Sequence, residues 1–127
     1  MAERHGRAVE RLEIILDQID LIQAQLAGKT FRDFAADRDV SDLVAYRIHN
    51  IGENCHRLDD EVKSRHRGLP WEDIYGMRNI ISHDYGRINP ARVWSVAVEH
   101  LAAIKAMASG ELARALASSS DGTGLTP

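Results

Sequence analysis

Apolar side chains recur at alternating spacings of four and three residues through the middle of the chain. The series comprises Val44, Ile48, Ile51, Cys55, Leu58 and Val62. A mean spacing of about 3.5 residues places such side chains on one stripe of a helix that packs against another helix, as in a left-handed bundle or a coiled pair. No segment shows the two-residue alternation of a half-buried strand. The pattern therefore predicts one long helix over about residues 41–66, within an all-α fold.

Two helices are predicted ahead of this one. The apolar residues between Val9 and Leu26 recur every three or four positions, and Gly28 then provides a stop. Thr30 follows, with Asp33 three residues later, which is the spacing of a capping box at the start of a short helix.

Two further helices are predicted to begin at Pro70 and Pro90, since proline is well tolerated in the first turn of a helix. Gly110 is expected to weaken or end the last of them. The prediction is a four- to five-helix bundle over residues 1–110, followed by a flexible tail over 111–127. The last ten residues of that tail, SSSDGTGLTP, are small, polar and turn-forming.

The composition is that of an ordinary globular domain and excludes several other classes. The 127 residues are 44% hydrophobic and 28% charged, which excludes collagen-like and disordered chains. The longest apolar run is too short to span a bilayer, and the first residues lack the apolar core of a signal peptide. The one cysteine, Cys55, rules out an internal disulfide, and its place in the apolar series predicts a buried side chain rather than a nucleophile. We therefore expect a cytoplasmic protein with no membrane partner.

Charge is unevenly distributed along the chain. The net charge of −3 argues against a surface built for general nucleic-acid binding. Residues 63–92 nevertheless carry six Lys/Arg against three Asp/Glu, which makes them a basic island in an acidic chain. Its first part, residues 63–67, falls at the predicted C-terminus of the long helix, where the helix dipole favours cations. The rest is either a solvated face or part of a binding site.

The densest group of catalytic-type side chains lies in the segment MRNIISHDY. Its members are Arg78, Asn79, His83 and Tyr85. On a continuous helix Arg78 and His83 would lie about 140° apart, so they converge only if the helix ends near Ser82 and the chain turns. In the simpler alternative, His83 caps the last carbonyls of the helix and Arg78 is solvated.

These residue types suit the cleavage of a phosphodiester. Arg78 offers a planar guanidinium that matches phosphate oxygens, and His83 can take or give a proton near neutral pH. Asn79 can orient either the histidine or a phosphate oxygen. With such groups an RNA 2′-hydroxyl can attack its own phosphate without a metal. Two copies of the site across a dimer axis would supply both an acid and a base, so we expect a homodimer.

Three potential metal ligands, His49, Glu53 and His56, share one face of the predicted long helix. Glu53 and His56 have the E-x-x-H spacing of di-iron bundles, but those proteins need a second such pair and none occurs here. We therefore predict no metal site among them. Glu53 remains a candidate for lining a functional groove.

Taken in order, these segments make the chain resemble the HepT-like branch of the HEPN superfamily over most of residues 8–108. The resemblance is carried by Leu69-Pro70-Trp71, Ile74, the run from Gly76 to Asn79, His83, Tyr85, Arg47-Ile48, Ile51-Gly52-Glu53 and Val93-Trp94. Proteins of this superfamily are small α-helical bundles that dimerise through the helices bearing an R-x4–6-H motif, and many are metal-independent ribonucleases. The resemblance thus implies an endoribonuclease that needs no cofactor.

The resemblance also implies a partner, because HepT-like members are toxins encoded beside a small MNT-type nucleotidyltransferase antitoxin that neutralises them. Carried onto this chain, it implies that Arg78 and His83 are catalytic and that Asn79 supports them. Tyr85 becomes the residue to which the partner transfers AMP, adding bulk and negative charge two residues from His83. The supporting or groove residues that we add to this set are Glu53, Arg47 and Ser82.

Two alternatives remain open. In the first, a non-catalytic HEPN module uses Arg78 and His83 to bind a nucleotide or the partner transferase, as a regulator or scaffold. In the second, the chain is a plain helical bundle with an interaction role, and replacing either residue changes only its stability. For the ribonuclease, the negative net charge favours a narrow groove that selects one type of RNA. Equal cleavage of unrelated RNAs by the pure protein would contradict that hypothesis.

Overall fold

The computed structural model describes residues 2–81 and 88–123, and every secondary-structure element in these ranges is a helix. The helices are α1 (Ala2–Leu26), α2 (Phe31–Ala36), α3 (Arg38–His56), α4 (Asp60–Arg65), α5 (Trp71–Gly76), α6 (Pro90–Glu99) and α7 (Leu101–Thr123), and a single 3₁₀ turn (Met77–Asn79) follows α5. No strand occurs in these ranges. The predicted all-α class is therefore confirmed, with more helices in these ranges than the four or five expected.

Helix α3 lies at the centre of the fold. It packs against α1, α2, α5, α6 and the 3₁₀ turn, while α7 covers α1. The buried core comes mainly from three helices, and its largest members include Leu12, Ile15, Ile19, Ile22, Val44, Ile48, Ile51, Leu101 and Ile104. The apolar series that predicts the long helix is therefore the stripe around which the other elements assemble.

The predicted single helix over 41–66 is wrong in its bounds. Helix α3 begins earlier, at Arg38, because the Asp37 side chain caps it by accepting a hydrogen bond from the backbone N–H of Val40 at 3.2 Å. It ends at His56, and Asp59, in extended backbone, starts the separate helix α4. Acidic residues in the first turn of α4 favour a new helix start. Leu58 and Val62 stay buried across the break, so the apolar spacing survives although the helix does not.

The short helix α2 forms where the capping box predicts it. Thr30 accepts from the backbone N–H of Asp33 at 3.1 Å, and the Asp33 carboxylate accepts from the backbone N–H of Thr30 at 3.0 Å. Gly28, with φ of 75°, ends α1 in the left-handed conformation that glycine tolerates best. Phe34 is fully buried and its ring lies 5.4 Å from that of Trp94, which ties α2 to α6.

The C-terminal helix extends past the predicted boundary. Pro90 opens α6 as expected, with Asn89 as its cap, but α6 ends at Glu99 and α7 then runs through Gly110 to Thr123. The helix therefore does not end at Gly110, and that part of the expectation is wrong. Glu111 is buried and pairs with Arg65 and His66, so the boundary placed after residue 110 falls inside a packed helix. Residues 124–127 of the predicted tail lie outside the described residues.

Within the described ranges, none of the helices combines the length and the hydrophobicity that a membrane span requires.

Candidate active site

The 3₁₀ turn that carries Arg78 lies directly on the backbone of α3. The contact point is Gly52, where a Cβ atom would lie 2.7 Å from the backbone nitrogen of Arg78 and 3.1 Å from the carbonyl carbon of Met77. Only a residue without a side chain allows this approach. Met77 and Ile80 are buried on either side of Arg78, so the turn is anchored in the core while the arginine side chain points outward, half-buried.

Three neighbours position Arg78. Its Nε lies 3.3 Å from Oε1 of Glu53 on α3, and its guanidinium carbon lies 4.7 Å from the centre of the Tyr75 ring. The backbone carbonyl oxygen of Arg78 is hydrogen-bonded to Nδ1 of His49, one turn before Glu53 on α3. The guanidinium is thus held by an ion pair and a cation–π contact, and the backbone that carries it is tied to α3.

The Glu53 carboxylate is shared between two arginines. Its second oxygen, Oε2, lies 3.8 Å from Nη2 of Arg57, one turn further along α3. Two guanidinium groups therefore flank one carboxylate, which leaves one positive charge in excess. A partly exposed cluster with an excess cation is suited to bind and stabilise a phosphate oxyanion.

The helix face that carries His49, Glu53 and His56 has no shared ligand geometry. His49 bonds the Arg78 carbonyl, Glu53 pairs with arginines, and the His56 ring packs at 4.2 Å and 69° on Tyr75. Over the described ranges, no three His, Cys, Asp or Glu side chains are grouped so that they could hold a metal ion.

The remaining predicted site residues fall into three groups. Asn79 is exposed at the end of the 3₁₀ turn, next to Arg78. Arg47 is not part of this cluster: its Nη1 donates to Oε1 of Gln18 on α1 at 3.5 Å, and its Nε is buried without a partner among the described residues. Ser82, His83 and Tyr85 lie outside the described residues, so their roles stay predictions.

Two residues of this cluster, His49 and Tyr75, have roles that the sequence patterns did not reveal. His49 is singled out only as a metal ligand, yet it supports the backbone of the arginine. Tyr75 is not singled out at all, although its position three residues before Arg78 is a spacing that brings side chains together in a helical segment.

Cys55, one position from the cluster in sequence, is not part of it. The thiol is fully buried in the core, as predicted, and burial raises its pKa to about 12. A thiol with so high a pKa is a poor nucleophile, because the thiolate is the reactive form.

Similarity to other proteins bears on this cluster directly. The sequence model of the HepT-like ribonuclease family matches residues 15–109, a span that contains α3, the 3₁₀ turn and α6. A candidate RNase of Caldanaerobacter subterraneus subsp. tengcongensis is 28% identical over 90 residues, which cover 71% of this chain and 80% of that protein. The probable ribonuclease HepT of Thermococcus cleftensis is 27% identical over 94 residues, covering 74% and 86% of the two chains.

No solved structure gives a significant match to the chain. The family match covers most of the chain, and it includes both Gly52 and the arginine that Gly52 accommodates. The chain belongs to the HepT-like ribonuclease family.

Proposed function

We propose that this chain is a metal-independent endoribonuclease in which Arg78 and His83 act together on a phosphodiester bond of RNA. The observation that carries the proposal is the fixed guanidinium of Arg78, which Glu53 and Tyr75 hold at the surface. A guanidinium fixed in advance can stabilise charge that develops on phosphate oxygens without reorganising during the reaction. The family to which the chain belongs supports RNA as the substrate.

The proposed reaction is an attack of the RNA on itself. His83, as general base, takes the proton of a 2′-hydroxyl, and the 2′-oxygen forms a bond to the adjacent phosphorus. The bond from phosphorus to the 5′-oxygen breaks, and that oxygen leaves with a proton supplied by a general acid. Arg78 stabilises the negative charge that builds on the two non-bridging oxygens. The products are a 2′,3′-cyclic phosphate and a 5′-hydroxyl end, and no metal takes part.

We further propose that the working unit is a homodimer with a composite site. One histidine cannot be base and acid in the same step, whereas two copies across a dimer axis supply both. Exposed apolar residues on α3 support this arrangement: Leu43 and Tyr46 lie three residues apart, and Tyr46 is 56% exposed. Leu43, Tyr46, Asn50 and Glu53 are spaced three or four residues apart, so they share one face of α3. A second copy covering this face would lie close to Arg78.

We also propose that the protein is the toxin of a toxin–antitoxin pair. Its partner would be an MNT-type nucleotidyltransferase that transfers AMP to Tyr85. The added phosphate would repel the RNA backbone from a site two residues away. Coexpression with the partner is expected to raise the intact mass of the chain by one AMP, and Tyr85→Phe is expected to prevent this.

Cleavage by pure protein in the presence of a chelator tests the activity. The wild type is expected to cut RNA and leave cyclic phosphate ends, while His83→Ala lowers the rate by about 10²–10⁴-fold, the usual contribution of a general base. Products with 5′-phosphate ends would contradict the mechanism. Intact RNA would favour the non-catalytic alternative, in which the chain regulates the partner transferase.

Mixing wild-type and inactive chains tests the composite site. Wild-type and His83→Ala chains are unfolded together and refolded, so that mixed dimers form. If one site needs a histidine from each chain, mixed dimers are inactive and activity falls as the square of the wild-type fraction. A linear fall, with the His83→Ala chain still folded and dimeric, would mean that each chain carries a complete site of its own.

A further inference from the structure

A second basic feature lies at the N-terminal part of α1. It is a cavity of about 210 Å³ whose floor is apolar and whose rim is charged. The charged lining residues are Arg4, Arg7, Arg11, Arg57 and Asp59. We refer to it as the arginine cavity.

The sequence of α1 gathers its arginines on one face. At about 100° per residue, Arg4, Arg7 and Arg11 fall within an arc of roughly 60°. The acidic residues of α1 occupy a separate arc of about 100°, and they are Glu3, Glu10, Glu13, Asp17 and Asp20. The helix therefore presents a basic face although its acidic residues outnumber its arginines.

The positive charge of the arginine cavity is poorly neutralised. Asp59 is the one carboxylate among its described lining residues, and it lies 3.6 Å from Nε of Arg4. Nη1 of Arg11 donates to the backbone carbonyl of Arg57 at 3.5 Å, and this neutral acceptor leaves the charge of Arg11 uncompensated. In the described part of the chain Arg7 has no ion-pair partner. Arg4 and Arg57 thus have carboxylate partners, whereas Arg7 and Arg11 have none among the described residues, and this excess of positive charge favours an anionic ligand.

The arginine cavity is linked to the candidate active site through Arg57. Arg57 lines the cavity and also pairs with Glu53 at 3.8 Å, and the other oxygen of Glu53 lies 3.3 Å from Arg78. One carboxylate therefore separates the guanidinium at the edge of the cavity from the guanidinium of the proposed catalytic residue. A chain of phosphates could follow this row of cations.

We propose that the arginine cavity binds backbone phosphates of the RNA strand whose cleaved bond lies at Arg78. This rests on the proposed function for its choice of ligand. Pockets that enclose a small organic ligand usually have volumes of about 300–1,000 Å³, so this cavity suits a strand passing through it better than a whole enclosed nucleotide. Its arginines are accessible, since the side chains of Arg4 and Arg57 are 73% and 63% exposed. Their planar forks match two phosphate oxygens at a time.

The test measures RNA binding at several salt concentrations. The probe is a fluorescent, single-stranded oligoribonucleotide with 2′-O-methyl groups, which keeps every phosphate but cannot be cut by 2′-attack. Wild-type protein is compared with Arg4→Gln/Arg7→Gln, which changes two exposed side chains and no core contact. The matched control is Lys29→Gln/Arg32→Gln, which removes the same charge beyond the opposite end of α1, a helix length of roughly 30 Å away.

The double variant of the arginine cavity is expected to bind the probe about tenfold more weakly. The slope of log binding constant against log salt concentration is expected to become about 1.4 less steep, since each phosphate contact on a single strand contributes about 0.7. Arg4→Lys/Arg7→Lys is expected to keep the slope. Binding equal to that of the control variant would overturn the proposal. Because the probe is not cleaved, these outcomes are independent of whether the protein cuts RNA.

Discussion

Gly52→Ala adds one methyl group at the backbone contact that holds the 3₁₀ turn on α3. The new Cβ would lie 2.7 Å from the Arg78 nitrogen, whereas ordinary contact begins at 3.4 Å. The atoms it meets are backbone, which cannot rotate away, so the 3₁₀ turn has to move by about 0.7 Å or more. Overpacking of this kind costs about 1–3 kcal/mol. For a chain of this length that corresponds to a fall in Tm of roughly 4–12 °C.

The same substitution should also lower the cleavage rate. A displacement near 1 Å of a group that positions a reacting centre can lower the rate by about 10²-fold. The assay combines thermal unfolding by circular dichroism with RNA cleavage at a temperature where both proteins are folded. Gly110→Ala is the control, because a Cβ there meets nothing within 4 Å, and in the helical α7 it should add about 0.5–1 kcal/mol of stability. If Gly52→Ala unfolds and cleaves like the wild type, the close contact does not position Arg78.

Three further predictions concern other buried or paired groups. Glu53→Gln removes the carboxylate between two arginines and should lower kcat about tenfold while Tm changes little. Initial rates and calorimetry measure the two quantities, and an unchanged kcat would mean that Glu53 does not position Arg78. The hydrogen bond from Arg65, aided by that from His66, lowers the pKa of Glu111. The Glu111 carboxylate therefore stabilises the folded state at pH values above its unfolded pKa near 4.5, and this stabilisation is lost on acidification. Glu111→Gln should therefore lower the free energy of unfolding by about 2 kcal/mol at pH 7 and make Tm fall less steeply below pH 4.5 than in the wild type. Parallel curves of Tm against pH for the two proteins would contradict this. Cys55, whose pKa burial raises to about 12, should react with a thiol reagent at least about a hundredfold more slowly in the folded than in the unfolded protein.

The sequence predicts the fold where buried side chains recur at regular spacing along a helix. The series from Val44 to Val62 correctly indicates which side chains face the core, because apolar spacing reports the buried stripe. It could not reveal the break between His56 and Asp59, because Leu58 and Val62 keep their places in the stripe after the helix ends. At Gly110 the sequence indicates a helix end where the structure has none. The helix continues through this poor helix former because Arg65 and His66, from elsewhere in the chain, hold the neighbouring Glu111.

The site was predictable where it depends on residue type and hidden where it depends on backbone contact. Arg78 and Glu53 stand out as charged side chains in a recognisable motif, and the structure brings them together. The role of His49 could not be read from spacing, since it bonds a backbone carbonyl 29 residues away. The arginine cavity was hidden for another reason, because the charge summed along residues 1–62 conceals the separation of acidic and basic faces around α1.

Inducible expression in bacteria tests the central claim, that Arg78 and His83 cleave RNA, most directly. Wild-type protein and His83→Ala are expressed separately, growth is followed, and total RNA is examined, after the intact mass has shown that Tyr85 carries no AMP. We expect the wild type to stop growth and to yield shortened RNA, while an equally well-folded His83→Ala chain is harmless. If unmodified wild type leaves RNA intact, or if His83→Ala shortens RNA equally, the account is contradicted.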